Sequence, residues 1–155
     1  MTDKQTDTLF SQPLTDVPNF VFDASVANVF TNMISRSVPG YETVTAMSGV
    51  IANRFSTPQT QLYDLGCSLG ATSFAMAQAM ASGCRVVAVD NSDAMIARLR
   101  DTSQQNGLAV DALRDDVRGV EVSNASVVAL NYTLQFVPLA DRKRLLQSIY
   151  RGMND

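Results

Sequence analysis

Apolar positions change their spacing near residue 58. Upstream of it, Val26, Val29, Phe30, Met33 and Ile34 recur at helical spacing behind Asp23, whose side-chain oxygen can cap a helix. Val38-Pro39-Gly40 ends that segment, because proline disfavours helix in the residue before it. A second helix is predicted from about Tyr41 to Arg54, with Val44, Met47, Ile51 and Phe55 as its apolar stripe. Ser56-Thr57-Pro58 closes it. Beyond that point short apolar runs alternate with longer helical ones. Strands are predicted at Gln61–Leu65, Arg85–Val89, Leu108–Leu113 and Ala125–Asn131. Helices are predicted at Ala71–Ala81, from Ser92 to about Gln105, and from Leu139 to about Met153. Ser92 or Asn91 is the expected cap of the middle one, and Asn106-Gly107 its stop. The β-branched run Val86-Val87-Ala88-Val89 reads as a strand buried on both faces. Repeated β-α-β units predict an α/β domain with a doubly wound parallel sheet over residues 23–155. Residues 1–22, with Pro13 and Pro18, read as a lead-in.

Composition narrows the chemistry. The 155 residues are 46% hydrophobic and 17% charged, which fits one globular domain and not a disordered chain. Twelve basic and fifteen acidic residues leave a net charge of −3, unlike a nucleic-acid footprint with its clustered Lys and Arg. No apolar run approaches a membrane span, and MTDKQTDTLF lacks the pattern of a secretion signal, so a cytoplasmic location is expected. There is no histidine, which removes Ser-His-Asp, Cys-His and His-based zinc arrangements. Cys67 and Cys84 are too few for a metal cage, so no metal is expected. Carboxylates, amides, backbone groups or a bound cofactor must carry the chemistry.

Ligands of doubly wound sheets sit beyond the carboxyl ends of the strands. Four strand exits and one elbow are therefore candidates. Tyr63-Asp64-Leu65-Gly66-Cys67-Ser68-Leu69-Gly70 combines two turn-forming glycines with a following helix N-terminus, suited to a carboxylate or phosphate. It departs from G-x-G-x-x-G because Ser68 stands at the second glycine, and it also reads as a plain strand-to-helix turn. The helix N-terminus could lower the Cys67 thiol pKa, but no partner exploits it, and packing is the favoured role. Asp90, with Asn91 beside it, ends the second strand 20 residues after Gly70, where a carboxylate can accept both hydroxyl protons of a ribose; its alternative role is helix capping. Asp116 can take an adenine amino group while Val117 packs the ring, or it belongs to a solvated acidic turn. Asn131 can contact a cofactor's amino-acid end without adding charge, or cap its turn; Tyr132 and Phe136 read as packing residues. Tyr41 follows Ser35-Arg36-Ser37-Val38-Pro39-Gly40, read as an interhelix elbow that could close over the sheet mouth. Adenine, ribose and amino-acid contacts from successive strand ends suit S-adenosylmethionine better than NAD, whose second nucleotide needs three further strands.

The segments DTLFSQP, FDASVANVF, RSVPGY, YDLGCSLG, VDNSDAMI and NYTLQF resemble the bacterial carboxy-S-adenosyl-L-methionine synthases. These belong to the S-adenosylmethionine-dependent methyltransferase-like superfamily, and the likeness runs from about Asp7 to Met153. The resemblance implies a Rossmann-like class I methyltransferase fold lacking its last strands. It also implies conversion of S-adenosylmethionine and prephenate to carboxy-S-adenosylmethionine and phenylpyruvate. The product would serve a separate enzyme that modifies the wobble uridine of certain tRNAs to 5-oxyacetyl uridine. In the implied mechanism the sulfonium acidifies its methyl group, the proton is lost as prephenate breaks down, and the ylide captures carbon dioxide. No side-chain general base is demanded, and no catalytic residue is nominated. The implied cofactor contacts are Tyr41, Gly66-Cys67-Ser68, Asp90-Asn91, Asp116-Val117 and Asn131, and the implied assembly is a homodimer. Further strands and an Arg for the added carboxylate are also implied, with no counterpart up to Asp155. The fourth strand is then expected to expose an unpaired edge, leaving this chain marginally stable, aggregation-prone and inactive by itself. An ordinary methyltransferase and a non-catalytic nucleoside-binding piece are the alternatives.

Overall fold

A computed structural model of the chain describes residues 24–154, with side chains from Phe30 onward. The lead-in, the Asp23 cap and the side chains of Val26 and Val29 lie outside the described residues. Two helices, α1 (Ala24–Ser37) and α2 (Tyr41–Phe55), precede the strand-helix alternation β1 (Gln61–Leu65), α3 (Ala71–Ala79), β2 (Arg85–Asp90), α4 (Asp93–Asn106), β3 (Val110–Arg114), β4 (Ala125–Ala129) and α5 (Leu139–Gly152). A short 3-10 turn at Leu134–Phe136, not anticipated, links β4 to α5. The four strands are parallel in the order β3-β2-β1-β4. Strand order reverses between β1 and β4, which makes the space beyond their carboxyl ends the switch point of the sheet.

Alternation along β1 divides the core into two layers. Tyr63 and Leu65 pack with Val89, Val137, Leu145 and Ile149 under α5. Leu62 faces the other way, against Ala52, Met76, Val86 and Val127 beneath α2 and α3. Ala88 continues that layer with Ile96 and Leu99 of α4. Phe30 ties α1 to Met95. In β2, Val86, Ala88 and Val89 are fully buried, as expected of a strand covered on both sides. Ser92 caps α4 by accepting the Met95 N–H at 3.3 Å, and Gly107 stops it in the left-handed conformation.

Three expectations need correction. The α2 stripe has the right period but the wrong face: Val44, Met47, Ile51 and Phe55 are exposed, while Ser48, Gly49 and Ala52 are buried. The cause is the closeness of α2 to α3. A Cβ on Gly49 would lie 3.0 Å from the Ala75 carbonyl oxygen, so only small side chains fit between the helices. Strand β3 starts at Val110, not Leu108, because the Leu108 N–H still bonds back to Ser103 at 3.1 Å. Strand β4 ends at Ala129, because the chain turns through Leu130 toward the 3-10 segment. Among the described residues β4 forms one edge of the sheet. Its outer side pairs at Ala125, bridged to Met153, and the Ala125 carbonyl accepts the Asn154 N–H at 2.8 Å.

Gly49→Val is expected to lower unfolding free energy by about 1–3 kcal/mol, because the added carbons press on a backbone carbonyl that cannot rotate away. A urea midpoint unchanged from the parent would contradict this contact.

Candidate functional site

The turn after β1 is held by backbone bonds. Gly66 and Cys67 both donate to the Val89 carbonyl, at 2.8 and 2.9 Å, and Gly70 closes the turn on Cys67 at 2.8 Å. Gly66 and Gly70 adopt φ of 88° and 86°, where a side chain is strained. Ser68 takes a φ of 49° without being glycine. Its N–H donates to Asp90 Oδ2 at 2.9 Å, and Asp90 Oδ1 accepts the Ser92 N–H at 2.9 Å. Asp90 therefore joins the glycine turn to the start of α4, while Ser92 does the capping. Each carboxylate oxygen keeps a second lone pair, enough for the two hydroxyls of a ribose. Asn91 stands exposed at the same strand exit.

Asn131 reaches the turn from the other side of the switch point. Its Nδ2 donates to Ser48 Oγ at 2.9 Å and to Thr72 Oγ1 at 3.1 Å, linking β4, α2 and the first turn of α3. Thr133 sits directly over Gly66: a Cβ there would be 2.2 Å from Thr133 Oγ1. Tyr41 opens α2 and packs on Tyr132, with ring centroids 5.9 Å apart and planes tilted by 33°. Burial, then the Asp64 charge, raises the Tyr41 hydroxyl above its ordinary value.

The third strand exit is arranged differently from the expectation. Asp116 is paired with Arg118, whose Nη2 lies 2.6 Å from Asp116 Oδ2 and whose Nη1 reaches Asp141 at 2.9 Å. Hydrogen bonding from Arg118 holds the Asp116 carboxyl below its ordinary value. An adenine amino group would share acceptors already engaged by a guanidinium. Val117 packs against the layer under α5. The structure thus brings together Tyr41, Gly66-Cys67-Ser68, Asp90 and Asn131 through one set of contacts, and turns Asp116-Val117 to Arg118 and the core.

Sequence reasoning passed over Asp64. It is 2% exposed, and its Oδ2 accepts the Ser73 hydroxyl at 2.6 Å. A carboxylate within the apolar run Leu62-Tyr63-Asp64-Leu65 was the available signal, since a buried charge is rarer than a buried apolar residue. Ser48, Thr72 and Thr133 carried no comparable signal. Burial pushes the Asp64 carboxyl up to about 6, against the opposing Ser73 bond. Burial and the charges of Asp64 and Asp90 likewise push the Cys67 thiol up, so the lowering expected from a helix N-terminus is overruled and Cys67 is a packing residue.

The Asp64 shift sets a pH dependence. The folded chain holds this proton up to about pH 6, whereas the unfolded chain releases it near 3.8. Stability contributed here is therefore complete below the unfolded value and declines as pH rises through the folded one, by about 3 kcal/mol. Asp64→Asn keeps an acceptor for Ser73 and removes the titration. Relative to that variant, the parent should lose stability between about pH 4 and about pH 7 in urea unfolding. Parallel profiles for the two proteins would contradict the burial of a titrating carboxyl.

Two carboxylates, Asp64 and Asp90, flank the glycine turn. Their charge disfavours a dianionic pyrophosphate beside the turn. Sheet order and turn together define a Rossmann-like domain of the methyltransferase kind. The methyltransferase-domain family model matches residues 62–155, and the chain belongs to that family. It is similar to the carboxy-S-adenosyl-L-methionine synthases of Yersinia enterocolitica, at 46% identity over 96% of this chain and 57% of the relative, and of Glaesserella parasuis, at 47% over 96% and 63%. The chain thus spans about three fifths of the length of these curated relatives. An S-adenosylmethionine-dependent methyltransferase from Clostridium acetobutylicum shares the fold, with a TM-score of 0.62, 15% identity, and coverage of 84% of this chain and 53% of that one.

Proposed function

We propose that this chain carries the S-adenosylmethionine site of a carboxy-S-adenosyl-L-methionine synthase. The observation that carries the reading is the pair of hydrogen bonds that the Asp90 carboxylate accepts from the Ser68 and Ser92 N–H groups, which sets a ribose acceptor against the glycine turn. In the proposed complex Asp90 takes the ribose hydroxyls, the backbone of Gly66-Cys67-Ser68 and the α3 N-terminus take the methionine carboxylate, and Asn131 and Tyr41 border the sulfonium. Asp116 accepts the adenine amino group beside the bonds it accepts from Arg118, and Val117 borders the ring.

The proposed reaction takes prephenate as carboxyl donor and yields carboxy-S-adenosylmethionine and phenylpyruvate. Prephenate loses its ring carboxylate as carbon dioxide and its ring hydroxyl as hydroxide; the hydroxide takes the methyl proton and leaves as water, and the resulting ylide captures the carbon dioxide. The residues of this chain orient the nucleoside and exclude water. The product is proposed to supply a separate wobble-uridine-modifying enzyme in the cytoplasm, with the synthase acting as a homodimer and making no tRNA contact itself. The test is mass spectrometry of nucleoside retained by the purified chain, with calorimetric titration of S-adenosylmethionine. Retained carboxylated nucleoside and saturable binding are expected. Demethylated nucleoside together with methyl transfer to an acceptor would replace this reading with a methyltransferase, and absence of nucleoside binding would overturn the site.

A further inference from the structure

The Asn131 amide can face its neighbours only one way. Ser48 Oγ donates its one proton to the Val44 carbonyl oxygen, 2.9 Å away and one turn earlier on α2. Toward Asn131 that hydroxyl can therefore only accept, so the amide atom 2.9 Å from it is the nitrogen. A flipped amide would bring two oxygens together with no proton between them. Thr72 Oγ1, at 3.1 Å, takes the second N–H. Both amide protons are thus used inside the protein. Among the described residues no donor reaches the carbonyl end, Oδ1, and no side-chain oxygen is sealed from solvent without a partner, so Oδ1 is open to solvent. An uncharged group that can only accept therefore stands at the switch point, beside the first turn of α3. Of the two charged groups of an α-amino acid, the ammonium donates to such a group and the carboxylate is repelled by it. The carboxylate is left to the backbone N–H groups where α3 begins.

We propose that Ser48 is a positioning residue of the nucleoside site, locking Asn131 so that Oδ1 receives the ammonium of the ligand's amino-acid end. This rests on the S-adenosylmethionine reading above and adds to it the group that Asn131 selects. Calorimetric titration of the 155-residue chain tests it with three ligands: S-adenosylhomocysteine, its 2-oxo acid analogue, in which a keto oxygen replaces the ammonium, and adenosine. The parent should bind S-adenosylhomocysteine about tenfold more tightly than the 2-oxo acid, because a charge-assisted hydrogen bond is exchanged for two acceptors in contact. Ser48→Ala removes one hydroxyl from a helix that alanine suits, so the fold is retained. The amide is then free to turn, since Thr72 can accept from its nitrogen or donate to its oxygen, and the ratio should fall to about twofold or less. Asn131→Ala should abolish the ratio. Thr72→Val also loses one bond to the amide but keeps the Ser48 lock, so any affinity it loses is lost for both ligands and the ratio stays at about tenfold. No preference in the parent, a Ser48→Ala ratio matching the parent's, or equal falls in Ser48→Ala and Thr72→Val would each overturn the lock, while continued binding of adenosine would leave the nucleoside site standing. A parent chain that binds neither adenosine nor S-adenosylhomocysteine would instead remove the site, and this proposal with it.

Discussion

Asp90→Ala should weaken S-adenosylmethionine binding at least about a hundredfold. The carboxylate holds two backbone N–H groups, of Ser68 and Ser92, each at 2.9 Å, and its remaining lone pairs are the proposed ribose acceptors. Hydrogen bonds to a charged group contribute about 1.5–3 kcal/mol each, so loss of two ribose bonds alone costs about 3 kcal/mol or more, and a hundredfold change in Kd is about 2.8 kcal/mol. Releasing Ser68, which sits at a φ of 49°, also loosens the turn. Asp90→Asn keeps one acceptor oxygen and should fall between parent and alanine. Calorimetric titration of all three, with circular dichroism to show retained helix, checks the ranking. An alanine variant binding within a few-fold of the parent would remove Asp90 from the site.

The second large effect is expected from Gly66→Ala. Its Cβ would stand 2.2 Å from Thr133 Oγ1 and 2.5 Å from Thr133 Cγ2, at a φ of 88° that L-residues avoid. Left-handed backbone costs about 1–2 kcal/mol and overpacking about 1–3 kcal/mol, so a loss of about 3 kcal/mol is expected. Relief of the overlap moves Thr133, and with it the Asn131 amide that bonds Ser48 and Thr72. Thr133→Ala in the same chain removes the two worst contacts and leaves the backbone strain, so the double variant should recover part of the loss. A double-mutant cycle in urea unfolding measures that recovery, and additive effects would show that the two residues do not meet.

Legibility followed the physics of each signal. The strands, the α4 caps and the parallel order were readable because β-branched runs, Ser92 and Gly107 act locally. The exits at Gly66, Asp90 and Asn131 could be singled out as candidates because parallel sheets place their ligands beyond strand ends. The buried face of α2 was not, because its choice depends on the backbone of α3 coming close to Gly49, which no periodicity records. Asp64 was missed because its partner, Ser73, lies on the next helix. Asp116 read as an adenine acceptor or as part of a solvated acidic turn; its bond to Arg118 is local, but the hold of Asp141 on that guanidinium is a tertiary arrangement the sequence does not record.

Gly49 has one more consequence. Because its missing side chain lets α2 lie flush with α3, the adjoining Ser48 hydroxyl arrives where it can grip the amide at the end of β4. A helix outside the alternating strand-helix run thereby calibrates a strand terminus 83 residues further along. Prying α2 loose would therefore free the Asn131 amide beside the glycine turn and uncover the layer of Leu62, Met76 and Val127 beneath it.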